Sequence, residues 1–290
     1  MVVDREEGPA LRLEAPGVTA AVDARRGGRI ASLRVGGREL LVGPSGAGDD
    51  SIRWGCYLMA PWPGRLAGGR LRWRDRWWQL DRTHGRNAIH GVTSSAPWTV
   101  EQSDLASATL SISLDRGGWP FRGSVVQHIR LEPGRLVLEA EIHAYEAMPA
   151  ALGWHPWFLR RGEVAVRVDA DRVLELRHML PTGATRPVHG RLDLRAGPAL
   201  GRRRLDDVYL DARPPIEVRW PDLTLRLETE PWLPTVVVYS PAGAICVEPQ
   251  TAWPNALGLE APAARSAGAV DLARGESLRA ALMLSWETSG

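Results

Sequence analysis

Three observations predict an all-β fold. Apolar and polar residues alternate with period two along most of the 290 residues, 3.6-residue periodicity is hard to find, and 30 glycines and 22 prolines punctuate short apolar runs. Such alternation puts every second side chain on one face of a strand, whereas a helix needs apolar residues three and four apart. Many short strands with Gly/Pro turns pack as two antiparallel sheets or as a barrel. No fixed-period repeat appears, which argues against a propeller or solenoid. No stretch reads as a linker, so residues 1–290 are expected to form a single domain.

Strands are expected at Val18–Asp23, Arg29–Val35, residues 39–42 and residues 109–114. Within residues 124–144, Val125, Gln127, Ile129 and Leu131 alternate with Val126, His128 and Arg130 before Glu132-Pro133-Gly134-Arg135 turns the chain. Leu136, Leu138, Ala140 and Ile142 then mark a second buried face, which makes a hairpin. The same logic pairs residues 216–220 with 223–228 around Pro221-Asp222, and Thr235–Tyr239 with residues 244–248 around Ser240-Pro241-Ala242-Gly243. The Ala-rich residues 261–268 read as a helical turn or a loose loop, and residues 277–287 as a last strand.

All 36 basic residues are arginine. The absence of lysine excludes Schiff-base chemistry, a pyridoxal phosphate anchored on the chain's own lysine, and a phosphate-loop lysine. With 34 acidic residues interleaved, the net charge is +2 and no basic stripe forms, so nucleic acid is not an expected partner. The N-terminus is charged from Asp4 onward without an apolar core, and no apolar run approaches the roughly 20 residues that cross a bilayer. A cytoplasmic protein with no membrane partner is expected. Cys56 and Cys246 are too few for a disulfide scaffold and lack metal-ligand spacing; reduced buried thiols are expected, and no metal.

Three segments break the alternating pattern and carry polar residues in loop-like contexts, where a β scaffold places its chemistry. The first runs from Tyr57 to Arg65 and on to Gly85-Arg86-Asn87-Ala88-Ile89-His90-Gly91, the second is Gly153-Trp154-His155-Pro156-Trp157-Phe158, and the third spans residues 247–255. His155 precedes a proline, which favours extended backbone, and Trp154, Trp157 and Phe158 are expected to crowd its ring and tune it as a general acid. Read alone, it also suits a histidine satisfied by a carbonyl under a loop. Glu248 closes an apolar run, where burial raises a carboxyl's proton affinity; alone it equally suits an edge-strand glutamate paired with an arginine. Gln250, Trp253 and Asn255 offer hydroxyl ligands and a stacking face. Arg65, Asn87 and His90, with 13 tryptophans in the chain, suit a neutral polyhydroxylated ligand. His84 is expected as an exposed loop histidine, His128 and His143 facing solvent or the second sheet, and His178 and His189 in a polar, Gly/Pro-punctuated region, none with a chemical role.

Taken in order, Pro61-Trp62-Pro63-Gly64-Arg65, Asn87-Ala88-Ile89-His90-Gly91, Gly153 to Phe158, Leu205-Asp206-Asp207-Val208-Tyr209 and Glu248-Pro249-Gln250-Thr251 resemble the aldose 1-epimerase (mutarotase) family. The resemblance implies a galactose-mutarotase-like β-sandwich with sugar bound on one sheet, and a cofactor-independent isomerase that needs no metal. By the same resemblance Glu248 is the base and His155 the acid of ring opening. Arg65 and His90 would donate to sugar hydroxyls, Asp206 rather than Asp207 would accept from them, and Asn87, Gln250 and Trp157 complete the contacts. The mechanism asks that His155 and Glu248 converge in one groove with room for a pyranose ring between them. Gly64 departs from the family pattern, where asparagine often precedes the arginine.

The expected reaction interconverts the α and β anomers of a free aldose such as glucose or galactose, on a monomer or homodimer. A hexose 6-phosphate is the near alternative, with Arg160-Arg161 or Arg202-Arg203-Arg204 as the phosphate ligand. A non-catalytic sugar-binding protein is a second class. A glycosidase or lyase using Asp206 or Asp207 with Glu248 is a third, and leaves His155 unexplained.

Overall fold

A computed structural model describes residues 10–46 and 51–288, so the charged stretch before residue 10 lies outside the described residues. Two antiparallel sheets dominate. The larger has eleven strands, ordered Leu11–Ala15, Val18–Asp23, Arg29–Val35, Cys56–Met59, Gly153–Leu159, Ala244–Gln250, Thr235–Tyr239, Asp206–Leu210, Arg172–Arg177 and Leu180–Pro187, with Arg38–Glu39 flanking Arg29–Val35. The second has eight, ordered Thr99–Ser103, Ser107–Ser113, Gly123–Glu132, Arg135–Ala144, Ser277–Thr288, Leu223–Glu230, Arg213–Trp220 and Ala165–Asp169.

The inner faces meet in one core. Leu33, Leu58, Trp154, Phe158, Ile245 and Val247 of the large sheet belong to the same apolar cluster as Val125, Leu138, Leu225 and Leu282 of the second. Each such fully buried side chain contributes roughly 1.5–3 kcal/mol by leaving water. This is the two-layer, all-β architecture of a sandwich. Its single described α-helix is Ala261–Ser266, which resolves the Ala-rich segment as a helical turn; no described helix is long and apolar enough to cross a membrane.

One expectation changes. Gly153–Leu159 is not a loop but a central strand beside Ala244–Gln250, the expected strand at residues 244–248 carried two residues further, and both are buried almost throughout. A strand covered on both faces loses polar/apolar alternation, which removed the signal that identifies it. The effect of the prolines is local. The ladder pairs Gly153 with Gln250 and Trp157 with Cys246 but skips the residues between, where Pro156 and Pro249 have no N–H to give.

Candidate active site

The outer face of the large sheet carries the site, and strand register explains its composition. Directly opposite residues in a ladder point to the same side. His155 pairs with Tyr57, and Glu248 with Val237, which in turn pairs with Val208; Trp157 and Tyr239 both pair with Cys246, and Tyr239 with Asp206. The fixed pairs on either side put His155 and Glu248 level with one another across adjacent strands. Residues outside the large sheet wall this floor: Gly64, His84, His90 and Pro254, with Arg65 and Ile89, which pair with one another in a small two-stranded sheet.

His155 and Glu248 are 4 % and 3 % exposed. The His155 Nε2 lies 3.3 Å from the Glu248 Oε1, and Gln250 Nε2 donates to the other carboxylate oxygen at 3.1 Å. Burial lowers the proton affinity of His155 to a pKa of about 3, with the Arg29 charge adding to the effect. Burial also raises the Glu248 carboxyl well above its ordinary value, reinforced by Asp206 and opposed by Arg65 and by the Gln250 hydrogen bond. Both groups are thus driven toward their neutral forms because each is removed from water. In contact at 3.3 Å, they form a coupled pair between which a proton can pass.

The aromatic shell of His155 differs from the expected one. Its ring lies parallel to Trp157 with centroids 5.3 Å apart, tilts against Tyr57 at 5.0 Å and meets the edge of His90 at 4.9 Å. Trp154 and Phe158, one position out of phase, face the core instead. Beneath Tyr57 lies Arg29, fully buried, its guanidinium stacked on Trp54 and Tyr57 and donating to the carbonyls of Arg26, Trp54 and Ser94. Nothing in the sequence pattern marked Arg29, because a cation in a strand ordinarily faces water.

His90 sits in left-handed backbone at φ 57°, its N–H donating to Gly64 O and its ring buried. Burial holds it well below the usual imidazole range, with the neighbouring His155, Arg65 and His84 adding to the shift. Asp206 lines the pocket and is raised to about 6, chiefly by burial, with Arg65 lowering and Asp207 raising it. Asp207 faces Arg186 and Arg191 at 3.7 and 3.5 Å, outside that pocket. Of the expected set, the fold gathers Arg65, His90, His155, Trp157, Asp206, Glu248 and Gln250 around one pocket.

Asn87 does not join them. Its side-chain oxygen accepts from Gly68 N at 3.1 Å, bracing a loop. Asn255 likewise accepts from Ala67 N at 2.9 Å, and Trp253 packs beside Leu174, Val208, Leu210 and Val237 rather than lining the pocket. Conversely His84, expected as a bystander, lines the pocket and is half-buried. His128, His178 and His189 are exposed, and His143 is half-buried beside Ser277. Gly64 has φ +66°, and a Cβ there would stand 2.9 Å from the Pro254 ring. Glycine and asparagine are the residues that most readily adopt that backbone, so the departure from the family pattern keeps the turn while Pro254 takes up adjoining space.

Neither cysteine is bridged, and both are buried. Cys246 was not marked by spacing, yet its sulfur, a His155 nitrogen and a Glu248 oxygen all lie within 4.8 Å of one another. Among the described residues this is the group of His, Cys, Asp or Glu side chains whose spacing is compatible with a metal ion.

The family pattern of the aldose 1-epimerases matches residues 9–285. The Escherichia coli K12 protein YphB, itself of uncharacterised function, is 24 % identical over 118 residues, or 40 % of this chain and 41 % of that protein; this alignment therefore spans under half of the relative. A solved structure of a candidate aldose 1-epimerase from Escherichia coli K12 superposes with a TM-score of 0.85 at 20 % identity, covering 97 % of this chain and 99 % of that one. The GalM/aldose epimerase homologue from C. elegans gives 0.84 at 17 % identity, covering 97 % and 99 %. These structures share the galactose-mutarotase-like fold, and the family match covers nearly the whole chain. The chain belongs to the aldose 1-epimerase family.

Proposed function

We propose that the protein interconverts the α and β anomers of a free aldose by opening and reclosing the pyranose ring. The observation that carries this reading is the buried 3.3 Å contact between His155 Nε2 and Glu248 Oε1 on the floor of a pocket walled by Arg65, His90 and Asp206. The reactive form arises when the proton of the Glu248 carboxyl passes to His155 Nε2 across the 3.3 Å contact, leaving carboxylate and imidazolium. Glu248 then takes the proton of the anomeric hydroxyl, and the electron pair left on that oxygen forms the aldehyde carbonyl. The C1–O5 bond breaks with its pair going to O5, which His155 protonates. Rotation about C1–C2 and reclosure on the opposite face, with the two side chains exchanging roles, completes the inversion.

The expectation that a pyranose ring fits between acid and base is not met, since the two touch. The chemistry does not require it. The anomeric oxygen and O5 are bonded to the same carbon, so two groups placed side by side can serve both from one face.

A neutral sugar suits the surrounding arginines better than a sugar phosphate. Arg160 donates to the carbonyls of Gly201 and Arg203, and Arg204 to Ser240 O, so these guanidiniums are spent on backbone. Arg160 and Arg202 do not line the pocket. Polarimetry on freshly dissolved α-glucose and α-galactose tests the proposal. Wild type should relax far faster than buffer, and His155→Ala and Glu248→Ala should each lose about 10²–10⁴-fold in kcat. Relaxation at the buffer rate by wild type that still binds sugar would mean a sugar-binding protein without turnover. Strict dependence on a 6-phosphate would replace the substrate.

A further inference from the structure

We propose that His155, Cys246 and Glu248 form a three-ligand site for a soft divalent cation such as Zn²⁺, and that cation and sugar compete for it. The three ligand atoms lie within 4.8 Å of one another, the nitrogen and oxygen being 3.3 Å apart. A tetrahedral zinc holds such atoms about 3.3–3.8 Å apart, so about an ångström of side-chain movement closes the set. Cys246 is two residues before Glu248 on one strand, hence on the same face, while His155 is level with Glu248 on the next.

The donor set decides the kind of ion. A thiolate with an imidazole and one carboxylate favours Zn²⁺ or Cd²⁺, whereas Mg²⁺ and Ca²⁺ want oxygen alone. Gln250 donates to the Glu248 oxygen that does not face His155, as outer partners of metal-bound carboxylates do. His155 and Glu248 line the pocket, so the fourth position of a tetrahedral ion there would be open to water. On binding, the cation displaces the thiol proton of Cys246 and any proton carried by the His155–Glu248 pair; these pass to solvent, and no electrons change hands.

The cation site reaches beyond ring opening, in which Cys246 has no part. Only its inhibitory consequence rests on the proposed function: a cation held by Nε2 and the carboxylate occupies acid and base together. Cys56, buried on the core side of the sheet, provides the control thiol.

The experiment titrates ZnCl₂ calorimetrically into reduced, metal-free protein without sugar, for wild type, Cys246→Ala, Cys246→Ser, His155→Gln and Cys56→Ala. One equivalent should bind to wild type and to Cys56→Ala, with affinity at least tenfold weaker in the other three. Cd²⁺ should give an ultraviolet thiolate-to-metal band in wild type that Cys246→Ala lacks. Circular dichroism selects whichever Cys246 variant is folded. Absence of saturable Zn²⁺ binding to wild type, or binding to a folded Cys246 variant within twofold of wild type, overturns the site. In polarimetry, micromolar Zn²⁺ should slow wild type, EDTA should restore it, and the Cys246 variant should keep its rate; equal inhibition of both would overturn the competition. Wild type that binds Zn²⁺ through Cys246 yet never accelerates mutarotation supports the cation site and refutes ring opening, so the two fail separately.

Discussion

Proton affinity at this site is set by what surrounds each side chain within a few ångströms. Gln250 is 0 % exposed, and its amide donates to the Glu248 oxygen that does not face His155. That bond stabilises the carboxylate, so Gln250→Leu should raise the Glu248 pKa; because the pair reacts while it holds one proton, the falling, alkaline limb of the kcat profile should move to higher pH, with kcat about tenfold lower and KM changed less. A merely structural role would lower the amount of active protein without moving the limb. Asp206 carries a second pH dependence. Its folded pKa of about 6 exceeds the ordinary 3.8 because it is largely buried. As a hydroxyl acceptor it works as the anion, so kcat/KM should fall as pH drops through about 6, and Asp206→Asn should remove that limb. For stability the sign is opposite. The folded chain binds this proton more tightly than the unfolded one, so the contribution of Asp206 is fully present below pH 3.8 and is lost as pH rises to about 6. Urea midpoints across that window should show wild type losing stability relative to Asp206→Asn.

At the scale of elements, loops are locked against strands by positions that admit no side chain. Gly91 has φ +72°, and a Cβ there would stand 1.9 Å from the Ala60 carbonyl oxygen, a backbone atom that cannot step aside. It follows His90 directly, and the loop is held by His90 N donating to Gly64 O and Val92 N to Ala60 O. Gly91→Ala should cost roughly 3 kcal/mol or more and weaken sugar binding as His90 shifts; a melt matching wild type would contradict this packing. Legibility in the sequence follows the same physics. Val18–Asp23, Arg29–Val35 and the hairpin of Gly123–Glu132 with Arg135–Ala144 alternate cleanly, having one face in the core and one in solvent or partly covered, so they could be read. Residues 39–42 shrink to Arg38–Glu39 plus a bridge from Leu41 to Phe158. Cys56–Met59 and Gly153–Leu159 are covered on both faces and read as something else. Among the residues named from the ordered motifs, Arg65, His90, His155, Trp157, Asp206, Glu248 and Gln250 line one pocket. Arg29 and Cys246 could not be found in the same way, because their places depend on strand register, and Asn87 was misread because a polar turn residue serves the backbone as readily as a ligand.

For the whole molecule, the site exists only when the large sheet is complete. Its floor comes from Gly153–Leu159, Arg172–Arg177, Asp206–Leu210, Thr235–Tyr239 and Ala244–Gln250, segments spread over nearly 100 residues of the chain, while none of the eight strands of the second sheet lines the pocket. The second sheet supplies the core on which the first rests. A ligand that bridges Arg65, His155, Asp206 and Glu248 therefore binds the native state and not fragments of it, and mass action converts its affinity into global stability. At a hundred times Kd the gain is about 2.7 kcal/mol. For a chain of this length a gain of that size should raise Tm by several degrees, increasing with the logarithm of sugar concentration. Glu248→Gln, which loses the base but keeps the shape, should retain most of the shift, whereas Arg65→Ala with Asp206→Ala should lose it. The measurement is a set of thermal melts against galactose and glucose, with mannitol as a non-cyclising control. Equal shifts with mannitol, or a shift that survives the double substitution, would place sugar binding elsewhere on the molecule.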